Sequence, residues 1–155
     1  MQGRMKHHRL TNEESEKLLL EENVGRIATI NPDGSPYIVP VHFVYCNGKI
    51  YIHGLIKGQK IDNINLNPNV CFEVDRMQEL ILSDKPCDVN TAYQSVIIIG
   101  TARLIPNEKD KEDILRQIIK KYVPALAGEE LPPRMLNATS VIEIEPIERT
   151  GKYYK

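Results

Sequence analysis

The stretch "GRIATINPDGSPYIVPVHFVYCNGKIYIHG", Gly25 to Gly54, decides the fold. "GRIATIN" alternates, setting Arg26, Ala28 and Ile30 opposite Ile27 and Thr29, the period of a half-buried strand. "PDGS" is turn chemistry, and "PYIVPVHFVY" opens a longer second strand. "CNG" turns the chain again into "KIYIHG", and Asn47-Gly48 between alternating apolar residues is a strong hairpin signal. Three strands in immediate succession read as an antiparallel meander. Pro40 interrupts the second of them, and a proline without an N–H belongs at a strand edge, a bulge or a local opening. The backbone of Val39 and Val41 is then free to meet the polar edge of a planar ligand. Counting out from the turn, His42 or Phe43 falls opposite Tyr51 to His53, so His42 and His53 either line one cavity mouth or are half-buried with backbone partners.

The third strand runs into "YIHGLIKGQK", Tyr51 to Lys60. Gly54 and Gly58 permit close backbone approach and positive φ. A helix starting near Gly58 offers unpaired N–H groups and partial positive charge. Lys57 and Lys60 add point charges. An anion site and a solvated helix cap both fit this spacing, and a phosphate monoester suits it better than a carboxylate. It is not a nucleotide P-loop: too few residues separate the glycines, Gln59 precedes Lys60, and Ile61 stands where a hydroxyl should bind magnesium.

Around this centre, Thr11 and Glu14 form a capping box for a helix that buries Leu18, Leu19 and Leu20. "GQKIDNINLNPN" reads as a short helix with Ile61, Ile64 and Leu66 inward, stopped by Pro68. "VCFEVD" is a fourth strand, and Met77 to Ala92 reads as an irregular polar insertion. "YQSVIIIGTARLI" is a fifth strand whose centre is apolar on both faces, Val96 and Ile98 against Ile97 and Ile99. Such a strand must be covered twice, by a barrel on one side and a second subunit on the other. "NEKDKEDILRQIIKKYV" is an amphipathic helix with Ile114, Leu115, Ile118, Ile119 and Tyr122 on its stripe. A Pro-rich connection leads to a last strand, "TSVIEIEPIERTGKYY". The expectation is one domain over residues 1–155, mainly β with peripheral helices: a six-stranded antiparallel barrel, closed or split, with residues 1–10 a flexible arm.

With 20 basic and 21 acidic residues the formal net charge is -1, against nucleic-acid or membrane-surface binding. The basic start has no apolar run behind it, and no stretch approaches membrane-spanning length. His7 and His8 lack further metal ligands at useful spacing. Three scattered cysteines, Cys46, Cys71 and Cys87, suggest neither a disulfide framework nor zinc, and a cytoplasmic setting is expected. Cys87, after Pro86 in a polar loop, reads as an ordinary thiol with no base near it in sequence. No hydrolase elbow, metalloprotease helix or Rossmann fingerprint occurs, so an enzymatic role would rest on an organic cofactor.

"GRIATINPDGSPYIVPVHFVY", "GKIYIHGLIKGQK", "NPNVCFEVD" and "YQSVIIIGTARLI" resemble the pyridoxamine 5′-phosphate oxidase-like flavoproteins, within them most the nitroimidazole-resistance (Nim) branch. The likeness runs from about Gly25 to Leu104, more weakly beyond; "PC" at Pro86-Cys87 matches too, whereas Gln94 replaces the usual arginine before Ser95. The resemblance implies a split-barrel homodimer with FMN sites at the subunit interface. It implies that Val39, Pro40 and Val41 run along the flavin ring, that His53, Gly54 and Lys60 meet the phosphate and ribityl chain, with Lys57 added to the cofactor site as a neighbouring point charge, and that Ser95 lines the site or the seam. Two functions compete. One is an FMN-dependent oxidoreductase reducing a small acceptor such as a nitroaromatic, with NADH or NADPH as donor. The other is a non-catalytic flavin- or haem-binding protein for storage, sensing or transfer, with His42 or His53 able to ligate iron. A pyridoxal-phosphate-type oxidase is disfavoured because the arginine-rich phosphate pattern is missing.

Overall fold

A computed structural model of the protein describes residues 8–155. Its strands are β1 (Gly25–Ile30), β2 (Pro36–Val41), β3 (Phe43–Cys46), β4 (Lys49–Leu55), β5 (Asn69–Ile81), β6 (Asn90–Leu104) and β7 (Thr139–Tyr154). They form one antiparallel sheet in the order β2-β1-β5-β6-β7-β4-β3. Helices α1 (Asn12–Glu21), α2 (Gln59–Leu66), α3 (Glu108–Tyr122) and α4 (Pro133–Ala138) lie around it.

The fold is the expected mainly-β split barrel, with seven strands where six are expected. The extra one arises because "PYIVPVHFVY" breaks at His42. Its first half pairs with β1, Val39 opposite Ile27, and its second half pairs with β4, Phe43 opposite Ile52. β2 and β3 therefore occupy opposite edges of the sheet, and one run of chain joins the two edges without closing them. This corrects the meander: Gly25 to Gly54 makes two hairpins on opposite edges. The physical reason is Pro40, which cannot donate to a continuing ladder.

Inside the barrel, alternate residues converge on a core in which Ile27, Phe43, Ile52, Phe72, Ile98 and Ile142 are wholly buried. The rings of Phe43 and Phe72 meet edge-on at 5.0 Å. A Cβ at Gly25 would lie 2.2 Å from the Phe72 ring, so the entry to β1 admits no side chain. A second cluster lies on the outer face, where Val44, Tyr51 and Val141 pack beneath Ile118 of α3. Covered from both sides, β7 buries five consecutive residues from Ser140 to Ile144.

The α1 capping box forms as expected: the Glu14 N–H donates to Thr11 Oγ1 at 3.1 Å and the Thr11 N–H to Glu14 Oε2 at 2.7 Å. Leu18 and Leu19 are buried, but Leu20 is exposed; on α2, Ile61 and Ile64 are buried and Leu66 is exposed. The Met77 to Ala92 insertion is mostly strand. After an irregularity between Met77 and Glu79, β5 and β6 continue to pair out to Ile81 opposite Asn90, with one short turn at Pro86–Asp88. Along β6, Val96 and Ile98 point inward, while Ile97 and Ile99 are 40% and 46% exposed. The expected arm is shortened: His8 and Leu10 bond to β7 through Tyr153 N–H→His8 O and Leu10 N–H→Gly151 O, and residues 1–7, His7 included, lie outside the described residues. No helix among the described residues is long and apolar enough to cross a membrane.

Candidate functional site

The break between β2 and β3 is held by a residue from the other end of the chain. Tyr122, the last residue of α3, accepts from the Phe43 N–H at 2.8 Å. Its hydroxyl lies 2.8 Å from the Asn23 carbonyl and 2.9 Å from that of Phe43, and donates to one at a time. Its ring stacks on His42 at 4.5 Å and 24°. Lys121 donates to the Glu22 carbonyl at 2.6 Å and sits 4.0 Å over the Phe43 ring; burial pulls its ammonium pKa down to about 8. Together these two residues pin α3 to the point where the sheet opens.

The opening forms a cleft of about 420 Å³ lined by Val24, Pro40, Val41, His42, His53 and Lys60. The turn at Asn47-Gly48 has φ of 51° and 77°, a two-residue turn that pairs Cys46 with Lys49. That register runs the chain back to bring His42 beside His53. Lys60, in the first turn of α2, reaches back over Gly54, with its Nζ 3.5 Å from where a Cβ would stand there. The start of α2 is fixed from beneath by Asn63. This wholly buried side chain donates to Thr29 Oγ1 and Asn31 Oδ1, both at 2.9 Å, and accepts from Gln59 Nε2 at 2.8 Å.

The cleft is cationic without a counter-charge. Burial lowers the Lys60 pKa; burial first, then His42 and Lys60, lowers that of His53. No carboxylate lines it. His53 Nδ1 is buried without a hydrogen-bond partner among the described residues, which is uncommon for a buried polar atom. Gly58 caps α2 at φ 137°, a conformation other residues rarely adopt, with no side-chain cap, and the Ile61 and Asp62 amides bond to its carbonyl. The preceding amides of Gln59 and Lys60 belong to the orphan donors of a helix start. The arrangement can hold an anion and orient a hydrogen-bonding group beside it.

Of the residues expected in the site, Pro40, Val41, His53 and Lys60 line the cleft, and Gly54 supports it. Val39 packs on the barrel core, and Lys57 is exposed in the bend before α2, outside the lining. Ser95 lies on β6 opposite Asp75 and Lys152, away from the cleft and on the same face as Ile97 and Ile99. His42 is exposed against Tyr122, not half-buried with a backbone partner. Sequence reasoning missed Val24 and the latch by Tyr122, which ends an apolar stripe and so reads as packing.

Residues 11–153 match the family described as pyridoxamine 5′-phosphate oxidase. The chain belongs to that family. Among curated relatives of the pyridoxamine 5′-phosphate oxidase-like chain is the 5a,11a-dehydrotetracycline/5a,11a-dehydrooxytetracycline reductase of Streptomyces rimosus, 35% identical over 92 residues. The match spans 57% of this chain and 59% of the reductase. A solved flavocytochrome of Azotobacter vinelandii superposes with TM-score 0.88 at 20% identity, over 100% of this chain and 72% of that one. A Bacteroides thetaiotaomicron protein named for 5-nitroimidazole antibiotic resistance superposes with TM-score 0.80 at 22% identity, over 92% and 84%. These two likenesses establish the fold.

Proposed function

We propose that the protein is a flavin-dependent oxidoreductase that holds FMN in the cleft and reduces a small acceptor such as a nitroaromatic. The observation that carries this reading is a half-buried ammonium and an unpartnered imidazole facing one cleft beside an uncapped helix start, with no carboxylate to neutralise them. These residues fit a flavin 5′-phosphate. Lys60 would hold the phosphate by charge, the first-turn amides of α2 by hydrogen bonds, and His53 would orient the cofactor or acceptor as a donor. Pro40 and Val41, where the ladder stops, would border the ring. Bound flavin supplies hydride or electron transfer; the chain supplies position and a water-poor wall. The reductase relative supports a redox role, and a flavocytochrome and an FAD-binding protein among the structural neighbours support a flavin.

The same reading makes the protein a homodimer with flavin sites at the interface. In support, Ile38, Ala28, Cys71 and Ile99 stand in one register row across four strands of the outer face, with Ile97 beside them. Ile38 is 62% exposed, and an apolar belt of this kind marks an interaction surface. Ser95 shares that face with Ile97 and Ile99.

The test is the absorbance of the purified protein, followed by anaerobic reduction with NADH or NADPH and reoxidation by a nitroimidazole. Paired blue and near-ultraviolet bands that bleach with the nucleotide and return with the acceptor support the reading. Failure to retain or take up flavin overturns it. Flavin that is never reduced leaves a carrier, and one intense Soret band would mean haem.

A further inference from the structure

His53 belongs to two cavities. Besides the cleft, it lines a second pocket of about 160 Å³ between the outer face of the sheet and the helices. On β4, His53 lies opposite Val141 and on the same face as Tyr51, beneath α3. Leu115, Ile118 and Ile119 of α3 form one wall; Met135 and Leu136 of α4, with Leu131 before it, form the other. The remaining polar lining residue, Thr139, already donates its hydroxyl to the Met135 carbonyl at 2.8 Å. His53 is the other polar residue of the lining, and its buried Nδ1 has no hydrogen-bond partner among the described residues.

We propose that this pocket binds a small, neutral aromatic or heteroaromatic ring, with His53 hydrogen-bonding to its edge. Size, lining and the orphaned nitrogen each narrow the occupant. A space of about 160 Å³ between aliphatic walls is large enough for a benzene-sized ring. A rigid ring fills such a volume without the rotamer entropy that a flexible chain would lose. Aliphatic walls offer no partner to a charged group, and a cation would also meet Lys60 and the two histidines nearby. An anion would find the Lys60 ammonium in the cleft and no cation of its own in the pocket. A ring seated here presents its edge to the imidazole that also borders the cleft. As the seat of the acceptor's aromatic part, the pocket rests on the flavin reading above; its affinity for a ring does not.

The probes are phenol and toluene, added to the protein as purified and labelled at methionine and isoleucine methyls and at histidine nitrogen. Phenol should give saturable shifts of the Met135, Ile118 and Ile119 methyls with a dissociation constant on the order of 1 mM, a range open to so small a ligand. It should also move the His53 Nδ1 resonance, whereas toluene should shift the methyls alone. Leu136→Phe and Met135→Trp each fill the pocket from the α4 wall. Each folded variant should lose the saturable shifts while keeping the parent's circular dichroism spectrum. No saturable shift in the parent, or unchanged shifts in a folded filled variant, overturns the pocket. Methyl shifts without movement of Nδ1 overturn the part given to His53. Flavin content is read by absorbance on the same samples, so a failed flavin reading and a failed pocket are told apart.

Discussion

Replacing Tyr122 with phenylalanine removes one hydroxyl from the latch at the sheet opening and leaves a ring able to stack on His42. The hydroxyl accepts from the Phe43 N–H at 2.8 Å, and Phe43 is wholly buried. Without it, that N–H has no acceptor, and β3 cannot supply one because its partner β4 is bonded on the other side. An unsatisfied buried donor costs about 1–3 kcal/mol. For a chain of this size each kcal/mol corresponds to roughly 2–4 °C, so melting should fall by about 2–12 °C. The chain has no tryptophan, so urea unfolding is followed by circular dichroism, with the midpoint moving at constant slope. A loss below about 0.5 kcal/mol, the range of an ordinary surface substitution, would refute the latch.

Other outcomes follow from the same geometry. In flavin-free protein the His53 imidazole should titrate below its ordinary value of 6.5, because burial, then His42 and Lys60, disfavour its charged form. The folded state then binds fewer protons than the unfolded chain just below that value, so His53 lowers stability as pH falls through the window and has no such effect above it. FMN should raise this titration, and an unperturbed imidazole without FMN would contradict the electrostatics; histidine NMR reads both. Lys121 at about 8, against 10.5 when free, makes stability rise with pH between those values, a rise that Lys121→Met should lack in urea midpoints measured across that window. Ile97→Asp should yield a monomeric, aggregated or flavin-free protein, whereas a stable monomer of the parent in sedimentation would sink the dimer and its shared site.

Local chemistry was legible where the partner lies close in sequence. Asn47-Gly48 announced the β3–β4 hairpin, Thr11 and Glu14 the start of α1, and Gly54 to Lys60 the approach to α2. Pro40 marked an opening, but alternation continues through it, and a change of pairing partner is not a local property. Strand β3 finds β4 and β2 finds β1 because the whole sheet intervenes. Tyr122 reads as part of the stripe because its bonding partner lies 79 residues away. Asn63 went unremarked because a lone asparagine in a helix reads as solvent-facing, whereas here it ties α2 to Thr29 and Asn31. The β5–β6 arm was obscured by its polar composition. The cleft is thus half legible: its residues on β4 and α2 are visible in the sequence, and the latch from α3 beside it is not.

The most direct test of the account compares FMN with riboflavin, which lacks the phosphate, in the parent and in Lys60→Ala, by fluorescence titration. A charge-assisted contact of about 1.5–3 kcal/mol corresponds to roughly 10- to 150-fold in affinity. The account predicts that the parent prefers FMN, that Lys60→Ala weakens FMN by that factor, and that riboflavin binding hardly changes. Equal affinity of parent and variant for FMN, or equal loss of both flavins, would contradict a phosphate held by Lys60 at the start of α2.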